Sequence, residues 1–236
     1  MLEARDISFS YPGRRVLGGV SFSVAPGETV CVAGGNGAGK TTLLRILATL
    51  AVPDAGRIVF DGQDALIHQL RYRRQLGYMQ EAPALYEEMT VKEYLVYRAR
   101  LKGEPEKRIR RRIFEACEEC GLAGIVKSPI APLSAGQKKC VALADAVLLR
   151  PRVLLLDDFL AGMDRESRRR AGAILAAAAS FSCVVATGHE IADLAAFAKR
   201  FLVLKGGTIA ADIRADGIDG AEVARRVDAV LAGGCR

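Results

Sequence analysis

The apolar positions of this chain change period along its length, and those changes divide it. Near the start the period is two. Residues 7–10 and 20–24 alternate apolar and polar side chains, as half-buried strands do, and residues 29–33 form an apolar run suited to a strand covered on both faces. A glycine-rich loop follows. From 40 to about 50 the apolar residues fall on one face of a predicted helix. Pro53-Asp54-Ala55-Gly56 predicts a turn, 57–60 a strand, Asp61-Gly62 a second turn and 76–79 another strand.

From about Glu81 to Pro132 the strand signals vanish, and two densely charged helical segments, 91–101 and 106–120, take their place. A further helix is predicted after Ser134, running to Leu149 and stopped by Pro151. Alternation of strands and helices then resumes: strand 153–156, helix 165–179 (alanine-rich over 171–179), strand 183–187, helix 191–197, strand 201–204. Gly206-Gly207 turns the chain into a last strand at 208–212. The simplest organisation is one α/β unit with a helical block inserted between its halves. No internal repeat or low-complexity segment is present.

Composition narrows the class without selecting a function. With 236 residues, half of them hydrophobic and 26% charged, the chain can bury an ample core and lacks the marks of disorder. Its net charge of +7 suits nucleic acid, an anionic membrane or nucleotide phosphates alike. The arginine runs at 110–112 and 168–170 lie in helical sequence and read as solvated faces. The six cysteines, Cys31, Cys117, Cys120, Cys140, Cys183 and Cys235, follow no framework spacing, and Cys117/Cys120 has no second pair to complete a metal site. Cys31 and Cys183 sit inside apolar runs, as small buried hydrophobes do. The pattern fits a reducing compartment. No apolar stretch approaches the ~18 residues of a membrane span, and MLEARDISFS has no signal-peptide core. Any membrane role is therefore expected to come through a partner.

Chemistry enters at GGNGAGKT, which matches G-x-x-x-x-G-K-[ST] between a predicted strand and a predicted helix. Gly34, Gly35, Asn36, Gly37, Ala38 and Gly39 are expected to curl the backbone round phosphate oxygens, with N–H groups pointing inward. The helix start, through Thr42, adds partial positive charge. Lys40 is placed to reach the β- and γ-phosphates, and the Thr41 hydroxyl to ligate Mg²⁺. This loop predicts a nucleoside triphosphate site. In VLLLDDFLAGMD, Asp157 ends an apolar strand and is the natural second partner of Mg²⁺, with Asp158 beside it. LSAGQ, residues 133–137, begins a helix with Ser134 as N-cap, and by itself it is only a helix start.

In this setting, just ahead of VLLLDD, LSAGQ resembles the signature motif of ATP-binding cassette (ABC) ATPases. The resemblance spans roughly residues 2–212. It implies that Tyr11, in SYPGRRVL, stacks on adenine, and that Gln80, in LGYMQEAPALYEEMT, links the Mg²⁺ site to the helical subdomain. It also implies that His189, in VVATGHE, contacts the γ-phosphate, that Asp158 is the general base, and that Asp164, in AGMD, belongs to a dimer interface. The implied fold is an α/β P-loop NTPase core, a mixed sheet with helices on both faces, plus an antiparallel β subdomain and an inserted helical subdomain. The implied division is one cassette over 1–214 (core 1–80 and 151–214, helical part 81–150) with a helical tail over 215–236. Two such domains, as a homodimer or heterodimer, would close head to tail, each ATP between one phosphate loop and the partner's Ser134, Gly136 and Gln137. ILATLAVPDAGRI and LYEEMTVKEYLVYRARLKG look most like ATPase subunits of ABC-2 type exporters. Those subunits work on the cytoplasmic inner face of the cell membrane, bound to separate transmembrane permease subunits. The implied cofactors are ATP and Mg²⁺, and nucleic acid is not an expected partner.

The chain departs from the family pattern in one half only. Ala135 replaces the first signature glycine, Cys140 and Asp145 replace arginines, Phe159 replaces a proline, and Gly188 replaces the Ser or Thr before the histidine. The general base, usually Glu, is Asp158. The shorter acid keeps its charge and moves it by roughly an ångström, a displacement that can cost ~10²-fold in rate while binding is expected to stay nearly untouched. Slow hydrolysis is therefore expected. Two further readings are a nucleotide-binding switch with negligible turnover and a soluble ABC-type ATPase acting on nucleic acid or protein complexes. The segment from Gln80 through Tyr86 is expected to help form the groove that takes the membrane subunit.

Overall fold

Strand residues buried on both faces organise the fold. In the computed structural model, which describes residues 1–233, β3 (Thr29–Ala33), β7 (Val153–Leu156) and β8 (Cys183–Thr187) are buried at every position. Their side chains alternate between two cores, as a period of two requires. Cys31, Leu154, Leu156, Val184 and Ala186 pack on one side, against the helical block, while Val30, Val32, Val153, Leu155 and Val185 pack on the other. With β6 (Leu76–Met79), β9 (Arg200–Lys205) and β10 (Thr208–Arg214) they form a six-stranded sheet ordered β10-β9-β3-β8-β7-β6. Every pairing in it is parallel except that of the edge strand β10.

The second sheet is antiparallel and ordered β2-β1-β4-β5, from β1 (Leu2–Tyr11), β2 (Arg14–Val24), β4 (Ala55–Phe60) and β5 (Gln63–Asp64). Leu2, Ile7, Leu17 and Ile58 cover the helix α1 (Lys40–Leu47), which lies between the two sheets' apolar faces. The expected extension of α1 to Leu50 fails because Thr49 turns into the left-handed region at φ 57°. A short helix α2 (Gln69–Arg74), absent from the sequence reading, precedes β6. It is fixed by tertiary bonds: Tyr72 Oη donates to Leu47 O at 2.8 Å and Arg73 to Thr49 O at 2.7 Å.

The inserted block holds α3 (Val91–Leu101), α4 (Glu106–Glu119) and α5 (Ala135–Val147). After β7 come α6 (Arg165–Ala178), a single turn α7 (Ile191–Leu194) where a longer helix was expected, and α8 (Gly220–Ala232) within the expected tail. Cys235 and the end of that tail lie outside the described residues. Among the described residues no helix is long and apolar enough to cross a membrane.

Three departures from the family pattern are absorbed into packing. Asp145 is buried and accepts from Arg98 Nε (3.1 and 2.9 Å) and Tyr94 Oη (3.2 Å), which satisfies a charge that would otherwise be costly. Phe159 is fully buried, and Cys140 is buried with its thiol 3.6 Å from Ser167 Oγ.

Candidate functional site: a phosphate-loop cleft

The parallel strands β6, β7, β8 and β3 all end at one edge of the sheet, and β3 lies between strands reached from opposite directions. Ligands bind outside the carboxyl ends at such a switch point. The loops there enclose a cleft of about 310 Å³. Its walls include Tyr11, Asn36, Gly37, Ala38, Gly39, Lys40, Thr41, Thr42, Asp157, Asp158 and His189. Sequence motifs far apart therefore meet in one space.

Glycine is required in the loop partly by the chain's own packing. Gly39 sits at φ 104°, and a Cβ there would come within 2.8 Å of Leu17 Cδ2; a Cβ on Gly34 would meet Leu204 O at 2.6 Å. Lys40 is only 9% exposed, and its Nζ donates to Gly34 O (2.7 Å) and Gly35 O (3.0 Å). Burial pulls its ammonium below the usual lysine range, with Asp158 and then Asp157 acting in the opposite sense.

The two carboxylates are held differently. Asp157 is 2% exposed; its Oδ1 accepts from Thr187 Oγ1 at 2.7 Å, while its Oδ2 is buried with no partner among the described residues. A buried, unpaired carboxylate oxygen is costly, so this arrangement fits a hydrated cation such as Mg²⁺, with the Thr41 hydroxyl on the same cleft wall. Asp158 takes a positive φ of 42°, its N–H donates to Thr187 Oγ1 at 2.9 Å, and its carbonyl accepts from Lys139 Nζ at 2.9 Å. A cavity of about 60 Å³ lined by Leu160, Gly188 and Leu194 opens beside it.

Tyr11 reaches the cleft mouth because a tight turn at Pro12-Gly13 joins β1 to β2; it is 42% exposed, with Phe9 edge-on 5.0 Å away. Other expected site residues stand elsewhere. Gln80 is exposed at the end of β6 and is not part of the cleft wall, which its neighbour Glu81 joins instead. Ser134, Gly136 and Gln137 also lie outside the cleft. They start α5 with a capping box, in which Ser134 Oγ accepts from Gln137 N (3.2 Å) and Gln137 Oε1 from Ser134 N (2.9 Å). Asp164 caps α6 by accepting from Ser167 N at 2.7 Å, a bond that lowers its pKa.

Sequence reasoning missed Arg14, Glu81 and Thr187, all on the cleft wall. Thr187 had a readable signal, a hydroxyl closing an apolar strand next to the strand of the carboxylates. Arg168, read as part of a solvated face, instead pairs with Glu190 and, at 2.8 Å, with Asp193, and so ties α6 to the segment after His189.

A glycine loop, an internal lysine and paired carboxylates at the carboxyl edge of a mixed sheet define a P-loop nucleotide-binding fold. Residues 17–161 match the ABC transporter family, and the chain belongs to that family, as one of its ATPases. It is 38% identical over 208 residues to the cytochrome c biogenesis ATP-binding export protein CcmA 2 of Salmonella paratyphi A, covering 88% of this chain and 98% of that one. It is 34% identical over 212 residues to the Fe(3+) ions import ATP-binding protein FbpC of Streptomyces coelicolor, covering 89% of this chain. The chain spans 61% of that importer's length. Among solved structures, an ATP-binding subunit of an ABC transporter superposes with a TM-score of 0.86 at 29% identity, over 99% of this chain and 95% of that one. A bacterial ABC transporter cassette solved as a dimer shares the fold, with a TM-score of 0.84 at 23% identity over 91% and 98%.

Proposed function

We propose that this chain binds and slowly hydrolyses ATP to power a membrane exporter, closing as a dimer around two nucleotides. The observation that carries this is the meeting of Lys40, Thr41 and the unpartnered Asp157 Oδ2 in one cleft. Tyr11 supplies the ring face for adenine. Backbone N–H groups of residues 34–42 and the Lys40 ammonium hold the phosphates. Thr41 and Asp157 would hold Mg²⁺, with Gln80 after β6 as the further expected ligand; the ion, when bound, would polarise the phosphate oxygens.

Asp158 then acts as the general base, its carboxylate taking a proton from the attacking water, and His189 donates to the γ-phosphate. Ser134, Gly136, Gln137 and Asp164 lie outside the lining of their own cleft and are assigned to the partner's nucleotide. The division into a cassette over 1–214 and a tail over 215–236 belongs to the same reading. Export is favoured over import by the 38% identity to an export protein and by the exporter-like segments ILATLAVPDAGRI and LYEEMTVKEYLVYRARLKG.

The permease subunit is assigned to the surface around Tyr86 and Tyr97, exposed rings stacked edge to face at 5.4 Å, with exposed Glu88 nearby in sequence. Glu87 is a poorer probe of that contact than expected, since it is paired to Lys138 Nζ at 2.5 Å. The chain would sit on the cytoplasmic face of the membrane through this contact. A switch subunit with negligible turnover is the second reading, favoured by the short acid at 158.

Steady-state phosphate release from Mg–ATP, for wild type and Asp158→Asn, tests the proposal. Faster release by wild type supports hydrolysis through Asp158. Equal rates remove the general-base assignment, and no ATP binding by wild type removes the whole reading.

A further inference from the structure

Asp158 lies in the left-handed backbone region, which few non-glycine residues adopt, and its neighbours fix it there. Two bonds do so. One is the Thr187 hydroxyl on the Asp158 N–H; the other is the Lys139 ammonium on the Asp158 carbonyl at 2.9 Å. Thr187 comes from β8 of the core, whereas Lys139 comes from the second turn of α5, in the inserted helical block. The adjacent lysine turns the other way: Lys138 pairs with the exposed Glu87. Lys139 is partly buried and has no carboxylate ion pair among the described residues, so it delivers its charge onto main chain beside three acids. Asp158, Glu81 and Asp157 all favour its charged form, in that order, against the burial that lowers its pKa.

We propose that Lys139 is a positioning residue for hydrolysis: its bond to the Asp158 carbonyl aims the short carboxylate and couples that aim to the position of α5. The proposal rests on the general-base reading of Asp158. It explains how an acid one methylene short retains a defined geometry, since a chain anchored on both sides by N–H and carbonyl bonds leaves only side-chain rotation free. It also makes the aim sensitive to movement of the helical block, because only one of the two anchors comes from the core.

The test is a double-mutant cycle with Mg–ATP on the full chain. Lys139→Met is expected to lower turnover by ~10-fold or more while ATP affinity stays within about twofold, and Lys139→Arg to retain most of the activity. In an Asp158→Asn background the same Lys139→Met change should cost nothing further, because there is no base left to aim. A merely structural lysine would instead lower the unfolding temperature and reduce the rate by the same factor in both backgrounds. Should the Met variant fail to fold, Lys139→Gln, which keeps a donor without the charge, carries the comparison with an expected loss of several-fold. A wild-type rate in Lys139→Met, or in Lys139→Gln where that variant stands in, or equal losses in both backgrounds, overturns the proposal and leaves the base intact. Equal rates for wild type and Asp158→Asn overturn both.

Discussion

Two helix N-termini in this chain carry the expected nucleotide motifs, and they are in opposite states. α1 begins at Gly39 with no side-chain cap, so the amide donors of its first turn face the cleft. α5 begins at Ser134 with a complete capping box, so the amides of Ser134 and Gln137 are satisfied by side chains of the same turn. The difference separates a terminus reserved for a ligand from one that is stable without any. It also explains why the phosphate loop needs no partner to be complete, while the signature, as proposed, acts only when another subunit brings a nucleotide to it. A capped terminus can still meet a phosphate, through the remaining N–H groups and the Ser134 hydroxyl.

The largest expected effect lies on the uncapped side. Lys40→Ala should weaken ATP binding by at least ~100-fold, since it removes a charged donor from a site built around it. Titration with a fluorescent ATP analogue measures this, and unchanged affinity would remove the contrast altogether. Next comes the chemistry. Asp158→Asn should lower turnover by ~10²-fold or more with ATP affinity unchanged. Asp158→Glu should raise turnover several-fold, because the cavity of about 60 Å³ beside Asp158 accepts another methylene. The left-handed backbone works against Glu more than against Asp, and a lower rate in Asp158→Glu would show that this strain dominates.

Tyr11→Ala should weaken ATP and ADP binding alike by roughly 3- to 10-fold, the worth of one stacked ring. A loss confined to ATP would assign Tyr11 to the phosphates instead of the base. The smallest effect is expected at the capped terminus. Ser134→Ala should cost about 1 kcal/mol of stability, a shift of roughly 2–4 °C in Tm, while leaving ATP affinity of the dilute single chain intact. A fall in that affinity would mean that the signature serves its own cleft, and the two termini would no longer differ in kind.

The sequence reading was strongest where local chemistry and tertiary demand agree. The phosphate loop, the carboxylates after VLLL and the Ser134 cap were legible because each is specified by a few adjacent residues. Helix 191–197 was overextended because its apolar spacing continues past the single turn that forms. α2 was missed because six residues make a marginal helix alone, and bonds to Leu47 and Thr49 from distant sequence are what hold it. Asp145 looked like a defect in the family pattern, and only its contact with Arg98 and Tyr94 shows a satisfied charge.

By itself the sequence determined which backbone segments are strands covered on both faces, where the nucleotide loop begins, and which side chains carry charge to it. Those properties come from residue types within a few positions of one another. Only the tertiary structure decided that Glu81 and not Gln80 lines the cleft, that Thr187 bridges the two aspartates, and that Lys139 reaches back to Asp158. Each of these depends on the angle at which separate strands and helices meet. That angle is set by packing across two cores, and no short stretch of sequence contains it.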